Sequence, residues 1–168
     1  YKGIINIPEK ISHEGTTYDV STIAKEAFKD CKELTEISIP RTITKIGEYA
    51  FDNARSNTSL DIDSKTIEVG NYAFYRNSSL KYAYIEGEGT MGDSVFANQS
   101  SLLEVRARGI TKVGKNIFNS CPKVYAIIRS TGKVNNIAIK ISTGSNNKVF
   151  GINMFFTPLE FFLFLLFS

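Results

Sequence analysis

Hydrophobic and polar residues repeat along this chain with a period of 22 to 23 positions. The clearest marker is a small or aliphatic residue followed by phenylalanine. The phenylalanines of these pairs are Phe28, Phe51, Phe74, Phe96 and Phe118. A fixed period of roughly 20–50 residues is the signature of stacked structural repeats. We therefore predict a solenoid whose repeat core contains these five phenylalanines.

Each repeat also contains a stretch that predicts a β-strand. In the second repeat, Ile37-Ser38-Ile39 alternates, so both isoleucines face one side and the serine faces the other. Aliphatic residues recur nine and eleven positions after most of the phenylalanines. In the last repeat this count places Ile127 inside, whereas Arg129 interrupts the second row. The segment around each phenylalanine predicts a short turn or 3₁₀ piece.

A glycine stands four positions before the phenylalanine in every repeat but the first, where Ala24 takes its place. Glycine suits a positive φ and also a close approach of two backbones. Both explanations remain open at this point.

These patterns predict a mainly β solenoid of about six 22–23-residue repeats over residues 1–151. The first coil, residues 1–28, carries an extra loop, and the last coils are degenerate. Near the end, Ile137, Ile139 and Ile141 alternate with other residues and predict one more strand. Val149-Phe150 is interpreted as a late copy of the phenylalanine position.

The outward positions of the strands form the candidate binding surface. Solenoids bind through the extended surface that their repeats create, and Tyr and Arg are enriched at binding hot spots. The outward rows are predicted to continue to Ala126 and Ile128 in the last coil. Cross-strand packing alone is the other explanation for repeated aromatic residues on a strand face. The candidate partner-binding residues are Asp61, Tyr82, Tyr84, Glu104, Arg106 and Arg108.

The order of residues in "CKELTEISIPRTITKIGEYAF" resembles the BspA-like (Treponema pallidum-type) leucine-rich repeat family. The opening stretch, with Tyr18-Asp19-Val20 before the first Ala-Phe, is similar to that family's first unit. The resemblance covers residues 4–128 and is most specific over 4–51. Later repeats replace the motif's cysteine with Ala54, Asn77 and Gln99. The resemblance implies a right-handed leucine-rich-repeat coil, a binding role, and adhesion by surface-associated or secreted proteins, some relatives being intracellular.

Charge and composition disfavour several other classes of protein. The chain has 20 basic and 17 acidic residues, a net charge of +3, and no clustered basic stretch, so we expect no nucleic-acid partner. His13 is the only histidine and lies in the polar loop of the first coil, so we expect neither a His-dependent triad nor a zinc site, which usually needs three or four ligands. The carboxylate pairs Asp61/Asp63 and Glu86/Glu88 lack a calcium-loop motif. We expect no enzyme, no catalytic residues, no metal and no cofactor.

Cys31 and Cys121 lie three positions after a repeat phenylalanine, in coils four apart. At about 4.8 Å per stacked strand their separation is roughly 19 Å, whereas a disulfide needs Cα atoms within about 7 Å. We expect two free, buried cysteines, and an intermolecular bridge is the alternative. Glycosylation sequons begin at Asn57, Asn77 and Asn98 and would be used only in a secreted eukaryotic protein.

Residues 152–168 form a hydrophobic tail. Its unbroken apolar run, Phe161 to Phe167, is far shorter than the about 20 residues of a membrane-spanning helix. Four interpretations stay open: a cap on the end of the solenoid, a membrane segment cut short, a removed anchor signal, or sequence without a selected structure.

Two functional hypotheses follow from these patterns and from the resemblance. The first is a cell-surface or secreted adhesion-type module that binds a protein or glycan partner. The second is a cytoplasmic protein-interaction scaffold, which the unpaired cysteines favour because secreted proteins tend to pair theirs. The oligomeric state is not indicated.

Overall fold

The computed structural model describes residues 1–54, 58–129, 137–140 and 149–152. These residues form a β-solenoid of about five turns, with no helix among them. The strands are β1 (Lys2–Asn6), β2 (Lys10–His13), β3 (Thr16–Asp19), β4 (Thr22–Ile23), β5 (Glu33–Ser38), β6 (Lys45–Ile46), β7 (Ser59–Val69), β8 (Tyr82–Met91), β9 (Glu104–Val113), β10 (Tyr125–Arg129), β11 (Ile137–Lys140) and β12 (Val149–Ile152).

Parallel strands from successive coils stack into two ladders. The first ladder joins β1 to β5 and, separately, the starts of β7, β8 and β9 to β10. The second joins β4, β6 and the ends of β7, β8 and β9. The register of β7 on β8 shifts between Asp63 and Thr66, and such irregularities bend a strand. Among the described residues, no ladder joins β5 to β7.

Turns around each repeat phenylalanine complete the third side of the coil. The residues two before and two after each phenylalanine have positive φ, as at Tyr49 and Asn53. Backbone N–H groups then alternate in direction. That of Ala50 donates within its own turn to Gly47 O at 3.2 Å, whereas that of Phe51 donates to Ala73 O of the next coil at 2.8 Å. Turns, like strands, therefore hydrogen-bond one coil to the next.

The repeat phenylalanines form one aromatic column through the core. Adjacent rings lie near parallel, with centroid separations of 5.1, 5.1, 5.5 and 6.1 Å from Phe28 to Phe118. Phe28, at the first coil, is partly buried, and the other four are buried. The three inner rings, those of Phe51, Phe74 and Phe96, therefore each stack on a ring of the coil before and on a ring of the coil after.

The position three residues after each phenylalanine supplies a hydrogen-bond donor in the later coils. Asn77 Nδ2 donates to Phe51 O at 2.7 Å, Gln99 Nε2 donates to Phe74 O, and Cys121 Sγ donates to Phe96 O at 2.9 Å. The amides that replace cysteine thus bond to the preceding coil just as Cys121 does. Both Cys31 and Cys121 are buried and form no disulfide with each other, as the sequence predicts.

Close approach of backbones explains the repeated glycine. None of Gly47, Gly70, Gly92 and Gly114 has a positive φ. A Cβ at Gly70 would lie 2.7 Å from Glu48 N and 2.9 Å from Gly47 C. Ala24 occupies the equivalent place in the first coil, which is exposed there. A methyl group is therefore accepted only where no coil of this chain packs in front.

We expect Gly70→Ala to lower the free energy of unfolding by about 1–3 kcal/mol, as overpacking does. The clashing atoms are backbone, and Gly70 N is fixed to Ile46 O at 2.8 Å, so the coils must separate locally. Urea unfolding followed by circular dichroism measures the change. Ala24→Gly is the control and should cost less than 1 kcal/mol. Equal stability of Gly70→Ala and the parent chain would contradict the close-approach explanation.

Three details differ from the sequence-based expectation. The register sets Ala126 beside Val105 and Ile128 beside Ala107, and both Ala126 and Ile128 are buried. Predicting them as outward was wrong because this coil is one residue shorter before its strand. The register instead places Ile127, predicted inside, opposite Arg106.

The two ends of the described chain also depart from a regular coil. Val149 and Phe150 belong to strand β12, not to a phenylalanine turn. Strand β11, predicted from its alternation, pairs antiparallel with both β10 and β12. The extra loop of the first coil is the hairpin β2–β3, whose two-residue turn, Glu14-Gly15, has positive φ at both positions, as type I′ turns require.

Candidate functional site

The outward residues of β7, β8 and β9 form a continuous surface, here called the strand face. Alternate residues of these strands are exposed and buried, since successive side chains of a strand point to opposite sides. The parallel register then aligns exposed residues of neighbouring coils in rows. The rows are Ser59, Tyr82, Glu104; Asp61, Tyr84, Arg106; and Asp63, Glu86, Arg108.

A shallow groove of about 340 Å³ crosses the strand face. Of the six residues proposed from sequence, four line it, whereas Tyr82 and Glu104 lie in the adjoining row. Carboxylates from β7 and β8 form one side of the groove, and guanidinium groups from β9 form the other. The groove is lined by Asp61, Asp63, Tyr84, Ile85, Glu86, Arg106 and Arg108.

Glu104 holds two groove residues in place. Its Oε1 accepts a hydrogen bond from Arg106 Nε at 2.6 Å, and its Oε2 accepts a longer one from the Tyr84 hydroxyl at 3.5 Å. The hydrogen bond to Glu104, followed by its charge, raises the pKa of Arg106 above its ordinary value. Glu104 is therefore a positioning residue that orients a tyrosine and an arginine on adjacent coils.

Sequence reasoning missed part of this surface. Asp63 and Glu86 line the groove, although from sequence both were considered only as members of carboxylate pairs without a calcium-loop motif. Asp63 also pairs with Arg41 at 2.5 Å. Tyr125 of β10 continues the row of Tyr82 and Glu104 and is exposed. The signal was present, because all three residues stand at outward positions of their strands.

A second aromatic surface lies on the turn side, away from the strand face. Tyr49 and Tyr72 stack with ring centroids 4.8 Å apart, and Tyr75 meets Tyr72 edge-on at 5.5 Å. Lys29 Nζ lies 5.4 Å from the Tyr49 ring centroid, and Arg76 lies 5.2 Å from that of Tyr75. Burial, then nearby Tyr72, raises the pKa of Tyr49. The rings are half-buried, and this ladder stabilises the turns.

The two described sequons differ in accessibility. Asn77 is buried, and its amide nitrogen is engaged with Phe51 O. Asn98 is exposed, with its amide nitrogen donating to the Tyr75 hydroxyl at 2.6 Å. Asn57 lies outside the described residues. Of the two described asparagines, only Asn98 presents its side chain at the surface.

Other features of the described residues bear on the remaining expectations. No group of three or more His, Cys, Asp or Glu side chains in this part of the chain is arranged to hold a metal ion. Likewise, no helix within the described ranges is long and apolar enough to cross a membrane. Of the hydrophobic tail, residues 153–168 lie outside the described residues.

The repeat architecture has a direct counterpart among known families. Residues 6–125 match the BspA type leucine rich repeat region in six copies. The chain belongs to this family. Six copies across about five turns agree with a mainly β solenoid of leucine-rich repeats. A search of curated proteins gave no match.

Solved structures give further likenesses of fold. A leucine-rich repeat protein from Bacteroides ovatus is 19% identical, with a TM-score of 0.44 over 73% of this chain and 44% of that one. The pneumococcal vaccine antigen PcpA is 17% identical, with a TM-score of 0.47 over 80% and 42%. A leucine rich cell surface protein from Faecalibacterium prausnitzii is 17% identical, with a TM-score of 0.41 over 89% and 53%. This chain spans about half the length of these proteins.

Proposed function

We propose that this BspA-type chain is a non-enzymatic binding module, acting at the cell surface or as a secreted adhesion-type protein. Its partner, a protein or a glycan, lies on the strand face. Membership of a leucine-rich repeat family, whose extended surfaces suit binding, supports a binding role. The surface location is part of the proposal, in keeping with the leucine rich cell surface protein among the similar structures.

One observation carries the choice of the strand face. Tyr82, Tyr84 and Arg106 stand exposed on two adjacent coils beside a groove, and Glu104 orients two of them. Tyr and Arg give large contact areas and directional hydrogen bonds at interface hot spots. Side chains already held in place lose less conformational entropy on binding. A partner therefore meets a partly preorganised surface.

We expect Tyr82→Ala/Tyr84→Ala/Arg106→Ala to abolish capture of a partner by the full chain. Loss of hot-spot residues weakens binding by about 2 kcal/mol or more each. Immobilised chain is exposed to serum, to extracellular-matrix extract and to a glycan array. Captured species are compared between the parent chain and this triple variant at matched thermal stability.

The matched control is Tyr18→Ala/Lys112→Ala. Both residues are exposed and lie away from the strand face, on β3 and on the second ladder. This control should capture the same species as the parent chain. Capture that survives in the triple variant but disappears in the control would place the binding surface elsewhere and contradict the proposal.

The second candidate function is an intracellular interaction scaffold. Cys31 and Cys121 are both buried and form no disulfide in the described residues, and cysteines without a disulfide persist more readily in reducing compartments. This alternative uses the same strand face and predicts capture from cytoplasmic extract, not from serum or matrix. Because both candidates use the same surface, exposing the same set of variants to cytoplasmic extract as well as to serum and matrix distinguishes them by the source of the captured partner.

A further inference from the structure

Some charged side chains of the strand face form ion pairs, whereas others form none and are here called uncommitted. Asp63 pairs with Arg41, and Arg106 pairs with Glu104. By contrast, the side chains of Asp61, Glu86 and Arg108 form no hydrogen bond or ion pair within the part of the chain that the structure describes. Glu86 stands opposite Arg108 on the adjacent strand, yet they form no ion pair.

These uncommitted charges are separated by sign along the solenoid. The acidic residues lie on β7 and β8, and the basic residue lies on β9. Strands stack about 4.8 Å apart, so β7 and β9 are about 10 Å apart. Tyr84 stands between them in the same groove. The groove therefore has an acidic end toward the N-terminal coils and a basic end toward the C-terminal coils.

A ligand that covers this groove removes water from charges of both signs. Burying an ionised group without a partner is strongly unfavourable. A neutral glycan offers hydroxyl and amide groups to these side chains but no charge. An acidic glycan satisfies Arg108 but brings negative charge against Asp61 and Glu86, and like-charge contacts across an interface cost several kcal/mol. A ligand bearing both a cation and an anion avoids both costs.

We propose that the partner of the strand face is a protein segment that carries a Lys or Arg and an Asp or Glu about 10 Å apart. Its cation lies over Asp61 and Glu86, and its anion lies over Arg108. The aliphatic stem of the cationic side chain packs on Tyr84, where a cation also interacts favourably with the ring face. This inference rests on the proposed function, because it names the class of ligand for the same surface.

The test is a selection of random 12-residue peptides, displayed on phage, against the immobilised full chain. We expect the selected peptides to share one basic and one acidic residue at a recurring spacing. They should bind Glu86→Lys/Arg108→Glu at least about tenfold more weakly, since this change sets like charges against like. Peptides with the two charges exchanged should prefer this variant. The change conserves the net charge of the chain.

The control is Lys45→Glu/Glu68→Lys, which exchanges an ion pair of 3.0 Å on the second ladder and also conserves net charge. It should bind the selected peptides as the parent chain does. Peptides that need Tyr82, Tyr84 and Arg106 but tolerate the Glu86/Arg108 exchange would overturn this inference and leave the proposed function standing. Binding of an acidic or neutral glycan that needs those three residues would do the same. Peptides indifferent to every strand-face change would contradict both.

Discussion

Replacement of Phe74 with alanine is expected to lower the free energy of unfolding by about 3–5 kcal/mol, the usual range for a buried phenylalanine. Phe74 is buried and stacks on Phe51 at 5.1 Å and on Phe96 at 5.5 Å. Its loss leaves a cavity between two coil interfaces, and in a solenoid each interface adds separately to stability. A loss of this size is a large part of the roughly 5–15 kcal/mol that stabilises a typical domain.

Urea unfolding monitored by far-ultraviolet circular dichroism measures this loss, with Phe28→Ala as the matched control. Phe28 stacks on Phe51 but is only partly buried at the first coil, so its removal should cost less than that of Phe74. An equal or greater loss at Phe28 would mean that the aromatic column does not determine the stability of the middle coils.

The interior of the solenoid could be predicted well because buried positions restrict residue type. Because each repeat keeps its phenylalanine and all but the first keep the glycine before it, the sequence shows a clear 22–23-residue period. The reason for the glycine was not accessible from sequence, since a positive φ and a close backbone approach both exclude a Cβ. The structure distinguishes them at Gly70, because its φ is not positive and a Cβ there would lie 2.7 Å from Glu48 N of the preceding coil.

The last coil shows why counting from one marker fails after a deletion. Leu102 and Val124 each follow their phenylalanine by six positions, and both are buried. One residue fewer separates Val124 from its strand, which moves Ala126 and Ile128 inward. Because both residues at 127 and 128 are isoleucine, the apolar pattern fits either register. Pairing with β9 decides between them.

The role of the residues that replace the family's cysteine could not be predicted from sequence either. In sequence, Asn77 and Gln99 interrupt a column, but in the structure their amides donate to backbone carbonyls of the preceding coil, as Cys121 does. Amide side chains differ from cysteine in hydropathy, but both kinds of side chain can donate a hydrogen bond. Donation of a hydrogen bond to the preceding coil, not hydropathy, is therefore what Asn77, Gln99 and Cys121 share, whereas Ala54 offers no donor at this position.

The strand face was predicted in outline because strand alternation specifies which residues point outward. Tyr84 and Arg106 were expected on adjacent coils, and the register of β8 on β9 places them opposite each other. Their shared contact with Glu104 depends on side-chain rotamers, which periodicity does not report. For the same reason, sequence did not separate the paired Asp63 from the uncommitted Asp61.

The ion pair between Arg76 and Asp52 is expected to contribute strongly to the stability of the turns. Arg76 Nε donates to Asp52 Oδ1 at 2.9 Å, and its Nη2 donates to Oδ2 at 2.8 Å. The Asp52 side chain is 2% exposed and that of Arg76 is 48% exposed. The hydrogen bond that Arg76 donates to Asp52 is the main cause that raises the pKa of Arg76. The guanidinium thus neutralises a buried carboxylate across two coils.

Arg76→Ala should therefore lower the free energy of unfolding by about 2–3 kcal/mol. Breaking a fully buried pair costs about 3–5 kcal/mol because a charge stays unpaired, and the half-exposed guanidinium reduces that cost through solvent screening. Arginine and alanine both carry a Cβ, so the positive φ of 56° at position 76 affects the parent chain and the variant alike. Urea unfolding at pH 7 gives the change in free energy.

A double variant separates the unpaired charge from lost packing on Tyr75. Arg76→Ala/Asp52→Asn removes the buried charge together with its partner, so it should be more stable than Arg76→Ala alone. The amide of asparagine needs hydrogen bonds but no counter-ion, and neutral polar groups are less costly to bury than charged ones. If the double variant is no more stable than Arg76→Ala, the arginine stabilises the turns by packing on Tyr75, and the buried carboxylate does not depend on it.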